Sequence, residues 1–242
     1  MSVDLYYTPM SSPCRAVLLT AEAIGITLNL IEINLFEGEH LKPEFEQLNP
    51  QKTVPFLVDG DYKLSESRAI MSYLVDQYGK NIRLNPQTPA GRALVNHRLH
   101  FDIGTLYRGM KNYYVSYSKL NHFYIFLALE GAFDVLDKFL NGQDYVAGRN
   151  LTIADLALAA TVSTTEVEKY VNVAKWMDKI KSSAPGYRKA NEEGLEIMKR
   201  LADDAKKERK KSGFGPLARS YPNMPIVIRP TNSKLVQLSI IC

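Results

Sequence analysis

The sequence is poor in cysteine: its 242 residues contain only Cys14 and Cys242. Two cysteines are too few for a disulfide-stapled scaffold, and this usage is typical of the reducing cytosol, so a cytoplasmic location is expected. No apolar run reaches the roughly 18 residues that a transmembrane helix needs. The N-terminus also lacks the basic and apolar segments of a signal peptide. These absences predict a protein without a membrane partner.

Acidic residues are missing from the last part of the chain. Residues 212–242 contain four prolines and no Asp or Glu. Residues 199–242 carry ten Lys and Arg against three Asp and Glu, so the net positive charge lies in this tail. A basic tail can contact nucleic acid or membrane, but a solvated helix end followed by an extension is favoured, because nucleic-acid sites are clustered basic patches. We expect no nucleic-acid partner, and poor order or loose surface docking for residues 212–242.

Strand signals are confined to the first eighty residues. A short β-branched and aromatic run predicts a strand at 3–7, strong alternation predicts a strand at 28–35, and residues 54–64 are predicted to form a hairpin that turns at Asp59-Gly60. Helical spacing predicts a helix at 14–25. A short, irregular helix broken by Pro43 and Pro50 is expected at 40–50, and a helix with Ser65 as its N-cap at 65–79. The order βαβ–α–ββα predicts an α/β domain over residues 1–80.

Strand signals are absent after about residue 86, so the rest of the chain is predicted to be helical. Thr88 and Pro89 open a long amphipathic helix that extends through "GMKNYYVSY". Thr152 and Asp155 form a capping pattern before a helix that is apolar nearly all round and therefore buried. We expect a linker over 81–89 and a helical domain over 90–211.

Candidate reactive residues stand where the first strand turns into the first helix, in "YYTPMSSPCRAVLL". Ser11 and Ser12 are small hydroxyl donors at a helix N-terminus, where the helix dipole favours an anion. Cys14 is their rival, since a cysteine near a helix N-terminus tends to a lowered pKa. The residues alone leave open which of the three reacts.

Seven segments, in order along the chain, resemble the cytosolic glutathione transferases of the insect delta and epsilon type. They are "SSPCRAVLLTA", "EHLKPEF", "LNPQKTVPFLVD", "SESRAIMSYLV", "FDIGTLY", "GQDYVAG" and "LTIADLALAATVSTTEV". The resemblance covers about residues 3 to 200. It implies a thioredoxin-like N-terminal domain with a mixed four-stranded sheet, followed by an all-α C-terminal domain. It further implies a homodimer that conjugates glutathione, as a co-substrate and without a cofactor or metal, to hydrophobic electrophiles in detoxification.

The resemblance assigns glutathione contacts to three segments. It implies a cis peptide at Val54-Pro55, which turns the Val54 backbone toward the cysteinyl unit. It implies that Glu66, Ser67 and Arg68, at a helix N-terminus, bind the γ-glutamyl end of glutathione, since a helix N-terminus suits a carboxylate. The alternative, an acidic first helical turn with a salt bridge, would explain Glu66 alone. His40 and Lys52 fall at the glycine carboxylate, where the family usually has His in place of Lys52. The alternative for His40 is a solvated loop histidine.

The same resemblance aligns Ser11 with the residue that stabilises the thiolate. Ser12 is then a capping or turn residue, and Cys14 is a buried small hydrophobe. Met10 departs from the family, which often has Gly at this position, and a Met can crowd the sulfur.

A hydrophobic substrate pocket is implied on the long helix. Its residues by resemblance are Met10, Tyr107, Met110, Tyr114, Val115 and Lys119, although a stripe of core aromatics is the alternative for about half of them. Asp102 is a candidate partner for Arg68, and the loop "TTEVEKYVNV" is shorter than in the family. Two other functions stay open: a non-catalytic ligand-binding protein of this fold, and a Cys14-dependent thiol transferase.

Overall fold

The computed structural model describes residues 2–80, 83–115 and 119–211, and its first part is built on one sheet. The strands are β1 Val3–Tyr7, β2 Asn29–Glu32, β3 Phe56–Asp59 and β4 Tyr62–Leu64. They lie in the order β2-β1-β3-β4. β1 is parallel to β2, while β1 with β3 and β3 with β4 are antiparallel. The mixed four-stranded sheet predicted for this part of the chain is confirmed.

Helices cover both faces of this sheet. They are α1 Ser12–Ile24, α2 Pro43–Leu48 and α3 Ser67–Tyr78, with a 3-10 turn at Glu39–Leu41 before α2. Successive side chains of β1 point to opposite faces. Leu5 is therefore in the main core with α1 and α3, whereas Tyr6 packs against a second cluster that includes Phe45 of α2.

The second part of the chain is helical, as predicted. Its helices are α4 Pro89–Phe101, α5 Tyr107–Val115, α6 Lys119–Leu140, α7 Ile153–Val162, α8 Val171–Ser183 and α9 Glu193–Lys211. Two π-helical turns interrupt them, Asp102–Leu106 between α4 and α5 and Arg188–Glu192 before α9.

Helix α7 joins the two parts of the molecule. All ten of its residues are buried, and it packs against α1 of the first part. Its start is capped as predicted: the backbone N–H and the hydroxyl of Thr152 both donate to the Asp155 carboxylate, at 2.9 and 2.8 Å. The backbone N–H of Val146 and the indole N–H of Trp176 also donate to it, at 2.8 and 3.0 Å, so the buried Asp155 carboxylate fixes the position of α7.

The start of α9 lies directly against the turn that follows β1. A Cβ added at Gly194 would stand 2.0 Å from the carbonyl oxygen of Pro9 and 2.9 Å from Cδ of Arg15. The Arg15 side chain is fully buried, and it donates to Oδ1 of Asn191 at 3.0 Å and to the carbonyl of Ala160 at 3.2 Å. The backbone of α9 thus approaches the β1–α1 turn as closely as a glycine permits.

This close approach predicts that Gly194→Ala destabilises the protein although alanine is the better helix former. Overpacking of this kind costs about 1–3 kcal/mol. Gly131 on α6 is the matched control, because a Cβ there meets nothing within 4 Å, and Gly131→Ala should stabilise by up to about 1 kcal/mol. Equilibrium unfolding in urea measures both. Equal effects of the two substitutions would contradict the packing described here.

Several predicted boundaries and caps differ from the structure. Strand β2 ends at Glu32 rather than at 35. Helix α3 begins at Ser67 rather than at 65, because Glu66 has φ +68°, outside the helical region. Glu66, not Ser65, therefore occupies the N-cap position. The long helix that opens at Pro89 is not continuous, since the π-helical turn 102–106 divides it.

Residues 212–242, predicted as a poorly ordered extension, lie outside the described residues. Within the described part of the chain, none of the helices is long and apolar enough to cross a membrane.

Candidate active site

Strand pairing brings the predicted glutathione contacts to one end of the sheet. Tyr6 near the end of β1 pairs with Phe56 at the start of β3, and Leu57 pairs with Leu64 at the end of β4. Tyr7 also pairs in parallel with Glu32 at the end of β2. The segments after β1, β2 and β4 and the segment before β3 therefore meet at the same end of the sheet. These segments carry Ser11, His40, Lys52, Val54, Pro55, Glu66, Ser67 and Arg68.

Ser11 is the N-cap of α1, which corrects the prediction that Ser12 has the capping role. Ser11 has extended backbone angles, and its Oγ accepts from the backbone N–H of Cys14 at 3.5 Å. Ser12 is the first helical residue, followed by Pro13. The Ser11 side chain is buried. Because Oγ acts as the acceptor in the cap, the hydroxyl proton is left to donate to a ligand at the positive end of the helix dipole.

Cys14 is a fully buried residue, as expected for a packing role. Burial raises the pKa of its thiol to about 11. This effect outweighs three that lower the pKa: a backbone hydrogen bond with Thr8, a hydrogen bond with the Ser11 hydroxyl and the positive charge of Arg15. The thiolate fraction near neutral pH is therefore very small. A buried, protonated thiol is a poor nucleophile.

The N-terminus of α3 has a buried cation that links the two parts of the chain. The Arg68 guanidinium donates to Oγ of Ser67 at 2.6 Å and forms an ion pair with the carboxylate of Asp102. Asp102 is fully buried and stands in the π-helical turn between α4 and α5. The predicted Arg68–Asp102 pair is confirmed. Arg68 also lies over the Tyr107 ring, 5.6 Å from its centroid.

This arrangement leaves Ser67 able to bind an anion. Its Oγ accepts from Arg68, so the Ser67 hydroxyl proton is left to donate. The first backbone N–H groups of α3 have no partner within the helix, as at any helix start. A helix N-terminus with a guanidinium beside it suits a carboxylate, while the exposed carboxyl group of Glu66 suits an ammonium.

The peptide bond between Val54 and Pro55 is cis, as the resemblance implies. Val54 lies just before β3 and packs at the edge of the second cluster, which also contains Met10.

His40 is buried in the 3-10 turn before α2, which excludes the alternative of a solvated loop histidine. Burial lowers its pKa below 6.5, so the imidazole is neutral at pH 7. Among the described residues, its buried Nδ1 has no hydrogen-bond partner. The Nδ1 atom of His40 is therefore available to hydrogen-bond a ligand.

Lys52 has a partner that the sequence did not reveal. Its Nζ lies 2.8 Å from a carboxylate oxygen of Glu46, with both side chains partly exposed. The turn between them is fixed by Asn49, whose amide donates to the Thr53 carbonyl at 2.8 Å and accepts from the Gln51 N–H at 3.1 Å. Glu46 and Lys52 are six residues apart with no helical periodicity between them, so only the folded turn brings them together.

The predicted substrate-pocket residues occupy different surroundings. Met10 is buried in the second cluster, with Ile197, Met198 and Leu201 of α9 packed against that cluster. Tyr107 is half-buried beside Arg68, and Met110 is buried in the main core. The side chains of Tyr114, Val115 and Lys119 lie outside what the structure describes. A shared substrate pocket for these residues stays a prediction.

Comparison with known proteins decides the family. Residues 1–76 match the model of the glutathione S-transferase N-terminal domain, and residues 112–185 match that of the C-terminal domain. A delta-class glutathione transferase of Nilaparvata lugens is 46% identical over 80% of this chain and 94% of its own, with a TM-score of 0.76. The chain belongs to the glutathione S-transferase family.

Two further structures agree with this assignment. An epsilon-class glutathione S-transferase of the housefly Musca domestica is 30% identical, over 83% of this chain and 96% of that one, with a TM-score of 0.75. A glutathione transferase homologue of Drosophila mojavensis, solved with bound glutathione, is 31% identical over 81% and 94%, with a TM-score of 0.74. The protein is thus an insect delta/epsilon-like glutathione S-transferase with a thioredoxin-like domain and a helical domain, and it is an enzyme.

Proposed function

We propose that this glutathione S-transferase binds glutathione at this end of the sheet and that Ser11 stabilises its thiolate for attack on hydrophobic electrophiles. The single observation that carries the proposal is the position of the Ser11 hydroxyl at the N-terminus of α1, where its proton can turn toward a bound anion. The relative from Drosophila mojavensis, solved with bound glutathione, supports the choice of co-substrate.

The chemistry needs an anion stabiliser rather than a base. A free thiol has a pKa of about 8.5, so only a few per cent is ionised at pH 7. Lowering that pKa by about two units takes roughly 2.7 kcal/mol of preferential thiolate stabilisation. A charge-assisted hydrogen bond from Ser11 and the dipole of α1 supply part of this. The thiol proton goes to solvent, so no basic side chain beside Ser11 is required.

The remaining contacts hold the two ends of glutathione. Ser67, Arg68 and the N-terminus of α3 take the γ-glutamyl carboxylate, and Glu66 takes the adjacent ammonium. His40 and Lys52 take the glycine carboxylate, and the Val54 backbone pairs with the cysteinyl unit. Since Asp102 holds Arg68 in place, we infer that it positions the guanidinium that fixes the Ser67 hydroxyl.

A conjugation assay with 1-chloro-2,4-dinitrobenzene tests the proposal. The thiolate attacks the carbon that bears chlorine, a C–S bond forms, the C–Cl bond breaks and chloride leaves. We expect glutathione-dependent formation of the thioether by the wild-type protein. Failure with this and several other hydrophobic electrophiles, while glutathione still binds, would overturn conjugation and leave the ligand-binding alternative.

Glu46→Gln should lower the Michaelis constant for glutathione, because Glu46 competes with the glycine carboxylate for Lys52. An exposed ion pair is worth at most about 1 kcal/mol, so we expect a two- to fivefold decrease, about 0.4–1 kcal/mol. Glu44→Gln is the matched control, an exposed glutamate of the same helix, and should leave the constant unchanged. An unchanged or raised constant in Glu46→Gln would show that Lys52 does not contact glutathione.

The thiol-transferase alternative depends on Cys14 and is disfavoured by its burial and its raised pKa. A Cys14→Ala variant should keep conjugating activity at its wild-type level, provided that it folds.

The family resemblance further supports a cytoplasmic homodimer of the detoxification type, with glutathione as co-substrate and no other cofactor. Sedimentation equilibrium tests the assembly: we expect twice the chain mass of 27.3 kDa. A monomer mass at micromolar concentration would contradict it.

A further inference from the structure

A cavity of about 330 Å³ lies away from the proposed glutathione site. It is enclosed by the second half of α1, the residues that lead into β2, and the junction from the π-helical turn 188–192 into α9. None of the proposed glutathione contacts is among its lining residues. Its size falls at the lower end of the roughly 300–1,000 Å³ typical of small-molecule sites.

One wall of the cavity is apolar. It consists of Leu18 and Ala21 of α1 and of Ile26 and Leu28 before β2. These side chains belong to the edge of the main core, so a ligand seated here would extend that core and remove apolar surface from water.

The other wall is acidic. Glu22 and Lys189 both line the cavity and form an ion pair of 2.7 Å, so their charges offset each other. Glu193 also lines it, and in the part of the chain that the structure describes Glu193 forms no salt bridge. The charged lining residues are therefore two carboxylates and one ammonium, which leaves a net charge of −1. Burial, followed by the charges of Glu32 and Glu193, raises the pKa of Tyr7, so the Tyr7 phenol stays protonated.

The end of the cavity toward the active site is closed by backbone. Pro9 and Gly194 are both lining residues, and a Cβ at Gly194 would lie only 2.0 Å from the Pro9 carbonyl oxygen. Ser11 lies beyond this contact, two residues further along the turn. Because none of the proposed glutathione contacts lines the cavity, we expect a ligand there and glutathione at Ser11 to bind at the same time.

We propose that this cavity is a second ligand site that takes a small cationic amphiphile, with its apolar body against Leu18, Ile26 and Leu28 and its cationic head at Glu193. An anionic amphiphile should bind more weakly, because the lining carries a net negative charge. The site does not depend on the proposed catalytic role of Ser11.

Fluorescence titration with the cationic dye auramine O tests the proposal on the full chain. We expect saturable binding that Glu193→Gln weakens about three- to tenfold and that Glu196→Gln leaves unchanged. Glu196 is the matched control, since it is an exposed glutamate of the same helix and does not line the cavity. Thr27→Trp, which places a large side chain on an exposed lining position, should also weaken binding.

Saturating S-hexylglutathione, which occupies the glutathione site, should not displace the dye. Displacement would show that the dye binds at the active site and would overturn the proposal. Equal affinities of the Glu193→Gln and Glu196→Gln variants, or the absence of saturable binding, would overturn it as well. Each of these results is independent of whether the enzyme conjugates the electrophiles tested above.

Discussion

Replacing Asp102 with alanine should destabilise the protein by about 3–5 kcal/mol, because it leaves a buried charge without its partner. Arg68 is 8% exposed and Asp102 is fully buried, so the lost carboxylate leaves the guanidinium largely desolvated. Asp178→Ala is the matched control: its pair with Lys181 is 3.9 Å long and exposed, and its removal should change stability by no more than about 0.5 kcal/mol. Equilibrium unfolding in guanidinium chloride measures both variants.

A double variant separates the structural role of this pair from its role in binding. Arg68→Met with Asp102→Leu replaces the buried ion pair by apolar side chains, which is often neutral or stabilising. We expect its stability to recover toward the wild-type value while glutathione affinity stays low, because no guanidinium is left beside Ser67. Wild-type glutathione affinity in the double variant would contradict the role given to Arg68.

Ser11→Ala should lower kcat/KM for conjugation by about 10²-fold, the effect of removing one preorganised donor to a reacting anion. The substitution also removes the N-cap of α1, which costs about 1 kcal/mol of stability. Activity should therefore be measured well below the thermal midpoint of the variant.

Two controls isolate the hydroxyl of Ser11. Ser12→Ala changes the neighbouring buried serine and should keep activity within a few-fold of wild type. Thr88→Ala removes the cap of α4, where Thr88 Oγ1 accepts from the Gly91 N–H at 3.3 Å, and should lose comparable stability without losing activity. If Ser12→Ala is the inactive variant, the assignment of Ser11 is wrong.

Local signals in the sequence predicted much of this architecture. The β-branched and aromatic run at 3–7 and the caps at Thr88 and Thr152 depend on neighbouring residues, so they can be predicted from a short window. The Arg68–Asp102 pair was predicted because two separate motifs of the family resemblance each supplied one member. Ser11 was found in the same way, although its capping role was assigned to Ser12.

What the sequence missed depends on contacts that no local pattern encodes. The π-helical turn at 102–106 leaves the apolar spacing of the long helix intact, so periodicity could not reveal it. The positive φ of Glu66 makes α3 begin two residues later than predicted, and such an angle is uncommon for a residue other than glycine. The Glu46–Lys52 pair requires the turn built on Asn49, and the cavity beside Glu193 requires α9 to return to β2.

Titration of the thiol of bound glutathione tests the central claim most directly. The absorbance of the thiolate near 240 nm is followed against pH for the wild-type complex and for the Ser11→Ala complex. The account predicts a thiol pKa in the wild-type complex about two units below the value of about 8.5 of an unperturbed cysteine thiol, and a return toward that value in Ser11→Ala. An equal pKa in the two complexes would contradict it.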